Sequence, residues 1–149
     1  MINDDLKLRG DVAIVLKDKD GKVKEIREIN NLVVSAGLTY ICSRMADASA
    51  NVMSHMALGS GTTAAAAGDT DLESILGSRE ALDSTTASSN TINYVSSFEP
   101  GEGTGAVTEA GIFNAATSGT MLCHVIFPVV NKQADDTMSV TWAITLTAS

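Results

Sequence analysis

From Leu6 to Leu16 the apolar side chains Leu6, Leu8, Val12, Ile14 and Leu16 fall at even positions, with Lys7, Arg9 and Asp11 between the first of them. Successive side chains of an extended chain point to opposite faces, so this period of two predicts a half-buried strand. Asp18-Lys19-Asp20-Gly21 interrupts the pattern. The Asp-Gly pair tolerates positive φ and predicts a hairpin turn. The return segment, Val23 to Val34, spaces Val23, Ile26 and Ile29 by three, which breaks alternation and predicts a bulge. Leu38, Ile41, Cys42 and Met45 then follow Ser35 at the spacing of one helical face, predicting a short helix with Ser35 as its cap.

Beyond the helix, Val52 to Leu58 reads as a strand running into Gly59-Ser60-Gly61, and Thr62 to Thr70 as an extended Ala/Thr/Gly loop without periodicity. Asp71 to Leu76 predicts a helical turn. Strands are expected over Arg79–Thr86, Thr91–Phe98, Val107–Phe113 and Met121–Val129. The last strand has the strictest pattern, with Met138, Val140, Trp142, Ile144 and Leu146 alternating against Ser139, Thr141, Ala143, Thr145 and Thr147. Turn signals at Glu99-Pro100-Gly101-Glu102-Gly103, Thr117-Ser118-Gly119 and Asn131–Asp136 leave only short connections, which favour antiparallel pairing. The expected fold is a mainly β, antiparallel β-sandwich of about seven strands with one short helix. It forms a single domain over residues 1–149, in which 1–28 make a charged N-terminal hairpin or arm.

Composition narrows this picture in two ways. With 149 residues and six aromatic side chains, the core must be built on Val, Ile, Leu and Met. A core this lean suggests that association with other subunits supplies part of the stability. The net charge of −8 is unevenly placed: residues 1–28 hold seven basic and seven acidic groups, whereas 29–149 carry Arg44, Arg79 and Lys132 against eleven carboxylates. That stretch would repel a phosphate backbone, so nucleic acid is not an expected partner. No apolar run approaches the ~18 residues of a membrane span, and Met1-Ile2-Asn3-Asp4-Asp5 lacks the basic start of a secretory signal. The expectation is a protein made and kept in a cytoplasm, or released by lysis, with no membrane partner.

Candidate chemistry is sparse. Cys123 and His124 are neighbours on a strand and therefore face opposite ways, so they cannot form a nucleophile–base pair with each other. A dyad of Cys42 with His55 or His124 requires the fold to bring them together. Otherwise both cysteines, set in apolar runs, are expected to be buried thiols. Asp18-Lys19-Asp20-Gly21 superficially resembles a calcium loop. Placing Gly21 at the sixth position, however, puts Leu16 first and Arg27 twelfth, where that loop needs carboxylates. Gly59-Ser60-Gly61-Thr62-Thr63-Ala64 matches the G-x-G-x-x-A dinucleotide pattern, without the helix and βαβ unit that give it meaning. Glu99, Glu102 and Glu109 are the carboxylates available for acid–base work, two of them flanking a Pro-Gly turn. No catalytic, metal or cofactor residue is assigned. The expected roles are structural: turn and packing glycines at Gly21, Gly37, Gly59, Gly61, Gly111 and Gly119, and partner contacts at Ile2, Leu6, Leu8 and Arg9. Strand faces whose polar positions are Ser and Thr suit burial against other subunits, because few charges there must lose water.

Taken in order, Asn31-Leu32-Val33-Val34 with Gly37, His55-Met56-Ala57-Leu58-Gly59-Ser60-Gly61-Thr62 and Gly68-Asp69-Thr70-Asp71-Leu72 resemble segments of small tailed-phage virion proteins. So do Thr108-Glu109-Ala110-Gly111-Ile112-Phe113-Asn114, Gly119-Thr120-Met121-Leu122 and Asp136-Thr137-Met138-Ser139-Val140-Thr141-Trp142. The resemblance covers residues 31–145 and is to tail-collar or tail-fibre modules and small virion proteins. It implies a non-enzymatic component of a phage particle. Because the chain ends at Ser149 with its last strand, without a repetitive shaft, the expectation is a capsid decoration (cement) protein. As such it would form a homotrimer clamping major capsid protein subunits. The alternative is a small tail adaptor or receptor-binding module.

Overall fold

A computed structural model describes residues 5–46 and 50–148. The protein is mainly β, with one short helix and an antiparallel sheet of nine strands in the order β4-β3-β7-β8-β2-β1-β9-β6-β5. In chain order these are β1 (Leu6–Lys17), β2 (Val23–Val33), helix α1 (Ser35–Ala46), β3 (His55–Gly59), β4 (Glu80–Ala81) and β5 (Ser84–Ser88). They are followed by β6 (Thr91–Phe98), β7 (Gly105–Phe113), β8 (Met121–Lys132) and β9 (Thr137–Ala148).

The β1–β2 hairpin forms as its sequence demands. The Asp18 carboxylate accepts hydrogen bonds from the Asp20 and Lys22 N–H groups at 2.9 and 3.0 Å, and Gly21 takes φ +81°. The ladder steps from Leu16↔Glu25 to Lys17↔Val23, so the expected bulge sits at Lys24. Alternation then puts Val12, Ile14 and Leu16 inward and matches them with Trp142, Val140 and Met138 across the β1–β9 ladder.

The sandwich expectation is corrected. One continuous sheet is curled into a half-barrel, because β2 belongs to both halves. Its first part pairs with β1 from Gly10 to Lys17, and its last two residues cross to β8 as Leu32↔His124 and Val33↔Cys123. The curl brings the two ends of the sheet close together. Beside β4, Asp83 N–H donates to Val95 O at 2.7 Å and Ser96 Oγ to Ala81 O at 3.4 Å. Trp142, Phe98, Ile14 and Met138 from one half thereby pack with Met56, Leu58, Ile112 and Val125 from the other.

Three local expectations also change. The segment Arg79–Thr86 is two strands, broken at Leu82 and Asp83 where the chain turns from β3 towards β6. Asp71–Leu76 is not helical and instead runs along β3, with Gly59 bridging Ile75. Ser35 is the first helical residue rather than the cap, and Val34 O accepts the first helical bond, from Leu38 N–H at 3.0 Å. The helix packs through Gly37, Tyr40 and Ile41, while Leu38, Cys42 and Met45 lie exposed. Gly37 decides this orientation, because its α-carbon rests on the backbone of Leu122 where a side chain would not fit. Among the described residues no helix is long and apolar enough to cross a membrane.

Candidate functional site

The densest group of ionisable side chains lies under the segment between β3 and β4. Glu109 is on β7 and His124 on β8. The ladder pairs His124 with Gly111, so the two side chains are diagonal neighbours on one face. Glu109 is fully buried. Its Oε1 accepts Gly61 N–H at 3.0 Å and Ser74 N–H at 2.8 Å, and its Oε2 accepts Glu73 N–H at 3.1 Å. His124 Nε2 lies 2.9 Å from Glu109 Oε2, and Nδ1 lies 2.8 Å from Oδ2 of Asp69. The Asp69 carboxyl is held below its ordinary value, chiefly by the Ala66 N–H that donates to it and then by His124.

Small residues make this approach possible. A methyl group at Gly59 or Gly61 would collide with the Glu109 carboxylate. The G-x-G motif therefore wraps backbone around an anion as a dinucleotide loop does, but the anion is the protein's own carboxylate. Thr108 Oγ1 donates to Gly61 O at 2.6 Å, and Thr63 N–H donates to Glu73, so the loop is fastened along its length. Arg79 fastens its far end. The guanidinium lies 3.6 Å over the Phe113 ring, and Nη1 donates to Ala115 O and Ser118 O at 2.9 and 2.7 Å.

Beside His124 a hollow of about 200 Å³ is lined by Thr63, Ala64, Asp69, Asp71 and Glu73. Glu73 and Asp69 are both committed to backbone N–H groups there. Among the described residues no group of three or more His, Cys, Asp or Glu side chains is arranged to hold a metal ion.

The other candidates separate. Cys123 faces the core, where burial pushes its thiol well above the ordinary range, while Cys42 is exposed, contrary to the expectation of two buried thiols. Neither thiol hydrogen-bonds a histidine among the described residues: His55 Nδ1 pairs with Ser54 Oγ at 2.7 Å, and both His124 nitrogens are taken. Glu99 and Glu102 stay in their turn, where Glu102 Oε2 accepts Glu99 N–H at 2.8 Å. They lie apart from the cluster that holds Glu109. Gly111 packs against Leu72, Phe113 and Met121, and Gly119 turns with φ +68°. A second polar group joins the hairpin to the β8–β9 turn. Lys24 Nζ donates to Asp136 at 2.8 Å, and buried Lys132 donates to Glu99 O at 3.1 Å.

The outward face of β1, β9, β6 and β5 is the other distinctive surface. Ser139, Thr141, Ala143 and Thr145 stand beside Asn93, Val95 and Ser97, then Ser84, Thr86 and Ser88, with Thr91 and Thr145 hydroxyls 3.1 Å apart. Those three strands present no charge there. On β1 the same face carries Ala13, Val15 and the paired Arg9 and Asp11. A shallow groove of about 420 Å³ crosses it between Glu28, Asn30, Thr141 and Ala143. Of the expected contact residues, Leu6 is 61% exposed at the start of β1, Leu8 packs on the core, Arg9 is on this face, and Ile2 lies outside the described residues.

The sequence pointed to Glu109 as a carboxylate and to His124 as a base, but not to their meeting. The available signal was an ionisable residue inside each of two mostly apolar strand runs, Val107–Phe113 and Met121–Phe127. No protein-family model, curated protein or solved structure matches this chain.

Proposed function

We propose that the chain is a non-enzymatic structural protein of a tailed-phage particle, and within that class a capsid decoration protein that stabilises contacts between capsid subunits. The phage term rests on the ordered sequence resemblance over residues 31–145. The assembly term rests on one observation, the charge-free outward face of β9, β6 and β5. A face of Ser, Thr, Ala, Asn and Val offers hydroxyls and small apolar groups that can be covered without stranding an ion. The polar cluster supports the same reading. Glu109 meets three backbone N–H groups and the His124 ring, all within the protein itself, so it serves to fasten the chain rather than to attack a substrate.

The homotrimer belongs to this proposal, as does the major capsid protein as partner. Gold-labelled protein imaged on intact particles should decorate the capsid surface in hundreds of copies. Label confined to the tail would defeat the decoration reading in favour of an adaptor or receptor-binding module. Replacing Thr141 and Ser97 by Glu should abolish capsid binding while the isolated protein keeps its melting temperature. Undiminished binding would remove the face from the argument.

A further inference from the structure

Both ring nitrogens of His124 face carboxylate oxygens. Glu109 receives three backbone N–H donors as well as the imidazole, four contacts that match the four acceptor sites of an ionised carboxylate. Against an ionised Glu109, Nε2 is a donor. Asp69 accepts the Ala66 N–H through the same Oδ2 that faces Nδ1, and these contacts favour its ionised form. Nδ1 must donate as well. A neutral imidazole has one N–H, and its bare nitrogen would be set lone pair to lone pair against a carboxylate oxygen at 2.8 or 2.9 Å.

We propose that Asp69, His124 and Glu109 form a proton-held latch: an imidazolium clamped between two carboxylates fastens the middle of the Gly59–Gly77 segment, around Asp69, over β7 and β8, and loss of its proton releases that stretch while the ends stay bound to Glu109 and β3. Glu109 and His124 stand on the sheet, whereas Asp69 stands on the segment, so the Asp69–His124 contact is the joint that opens. The segment also covers the helix start, where Ala67 O accepts Ser35 N–H at 2.7 Å. Release therefore uncovers both the His124 hollow and the base of α1.

Carboxylates surround the ring. Glu73 and Asp71 line the hollow with Asp69, and Glu109 lies on the adjacent strand. Arg79 is directed to Asp71, 3.5 Å away, and to carbonyl groups. The residues that meet His124 across the β2 ladder and beside it on β8, Leu32 and Val125, are uncharged. The closed state holds one more proton than an opened state with neutral imidazole, so raising the pH favours opening.

Long-range proton–nitrogen spectra of the unmodified protein at neutral pH test the count directly, with His55 as internal reference. Two protonated ring nitrogens on His124 are expected, and a single protonated nitrogen would overturn the proposal. Hydrogen exchange tests the release. Between about pH 6 and about pH 9, amides of residues 62–72 should lose roughly ten- to a hundredfold protection relative to β9, the factor expected for one lost hydrogen bond to a charged group. Constant relative protection would sink the latch. Asp69→Asn should show the alkaline level of protection at both pH values, and a retained pH step in that variant would assign the step elsewhere. If that variant does not fold, both measurements on the unmodified protein still decide.

Discussion

Three backbone N–H groups of the segment between β3 and β4, at Gly61, Glu73 and Ser74, converge on the Glu109 carboxylate together with the His124 ring from β8. Glu109→Gln keeps the volume but replaces an acceptor by an NH₂ group facing donors. Removing one partner from a buried charged network of this kind costs about 3–5 kcal/mol. The urea midpoint should fall accordingly at unchanged slope. Gly61→Ala tests the same site from the backbone side. A methyl there meets Glu73 Cβ at 2.5 Å and Glu109 Oε1 at 2.6 Å, so a loss of roughly 1–3 kcal/mol is expected from overpacking. An unchanged midpoint would mean that the loop relaxes around the added carbon. Both residues were visible in the sequence, Gly61 as a turn and Glu109 as a carboxylate in an apolar run. Their meeting was not, because it depends on the ladder that sets Glu109 and His124 diagonal and on a loop folding back across 48 residues.

Elements follow local chemistry closely where one face is buried. The Asp18–Gly21 turn is set by its own carboxylate and by a glycine at φ +81° with open space around it. Gly21→Ala should therefore cost about 1–2 kcal/mol through backbone strain alone, read as a lower thermal midpoint. Helix α1 shows the opposite case. Its sequence offers apolar residues around more than one face, and the periodicity of Leu38, Ile41, Cys42 and Met45 does not say which residues meet the sheet. Contact with Leu122 at Gly37 turns Cys42 outward. A maleimide should consequently label one thiol, Cys42, in the native protein and both after denaturation. Rapid native labelling of Cys123 would contradict the packing of β8.

At the scale of the whole molecule, acid acts on the joints between elements. Asp136 is held below the ordinary carboxylate value of 3.8, chiefly by its hydrogen bond from Lys24, and Asp69 likewise by Ala66 N–H and His124. Both folded values lie below the unfolded ones. The stability they contribute is present above about pH 4 and is lost as the pH falls through the depressed values. Urea midpoints should thus drop as the pH falls below about 4, and Asp136→Asn should flatten part of that drop. The sequence by itself determined the β class, the hairpin and its bulge, and the alternation that makes Val140, Trp142 and Ile144 core residues. These are consequences of side-chain direction and turn chemistry within a few residues. Tertiary structure alone decided that the strands join into one curled sheet instead of two. Alternation reports which face is buried and is silent about which strand β2 pairs with at Leu32 and Val33. It also decided the polar cluster, because the β7–β8 ladder sets Glu109 diagonal to His124 and the return of the loop lays Asp69 against them, which no local pattern encodes.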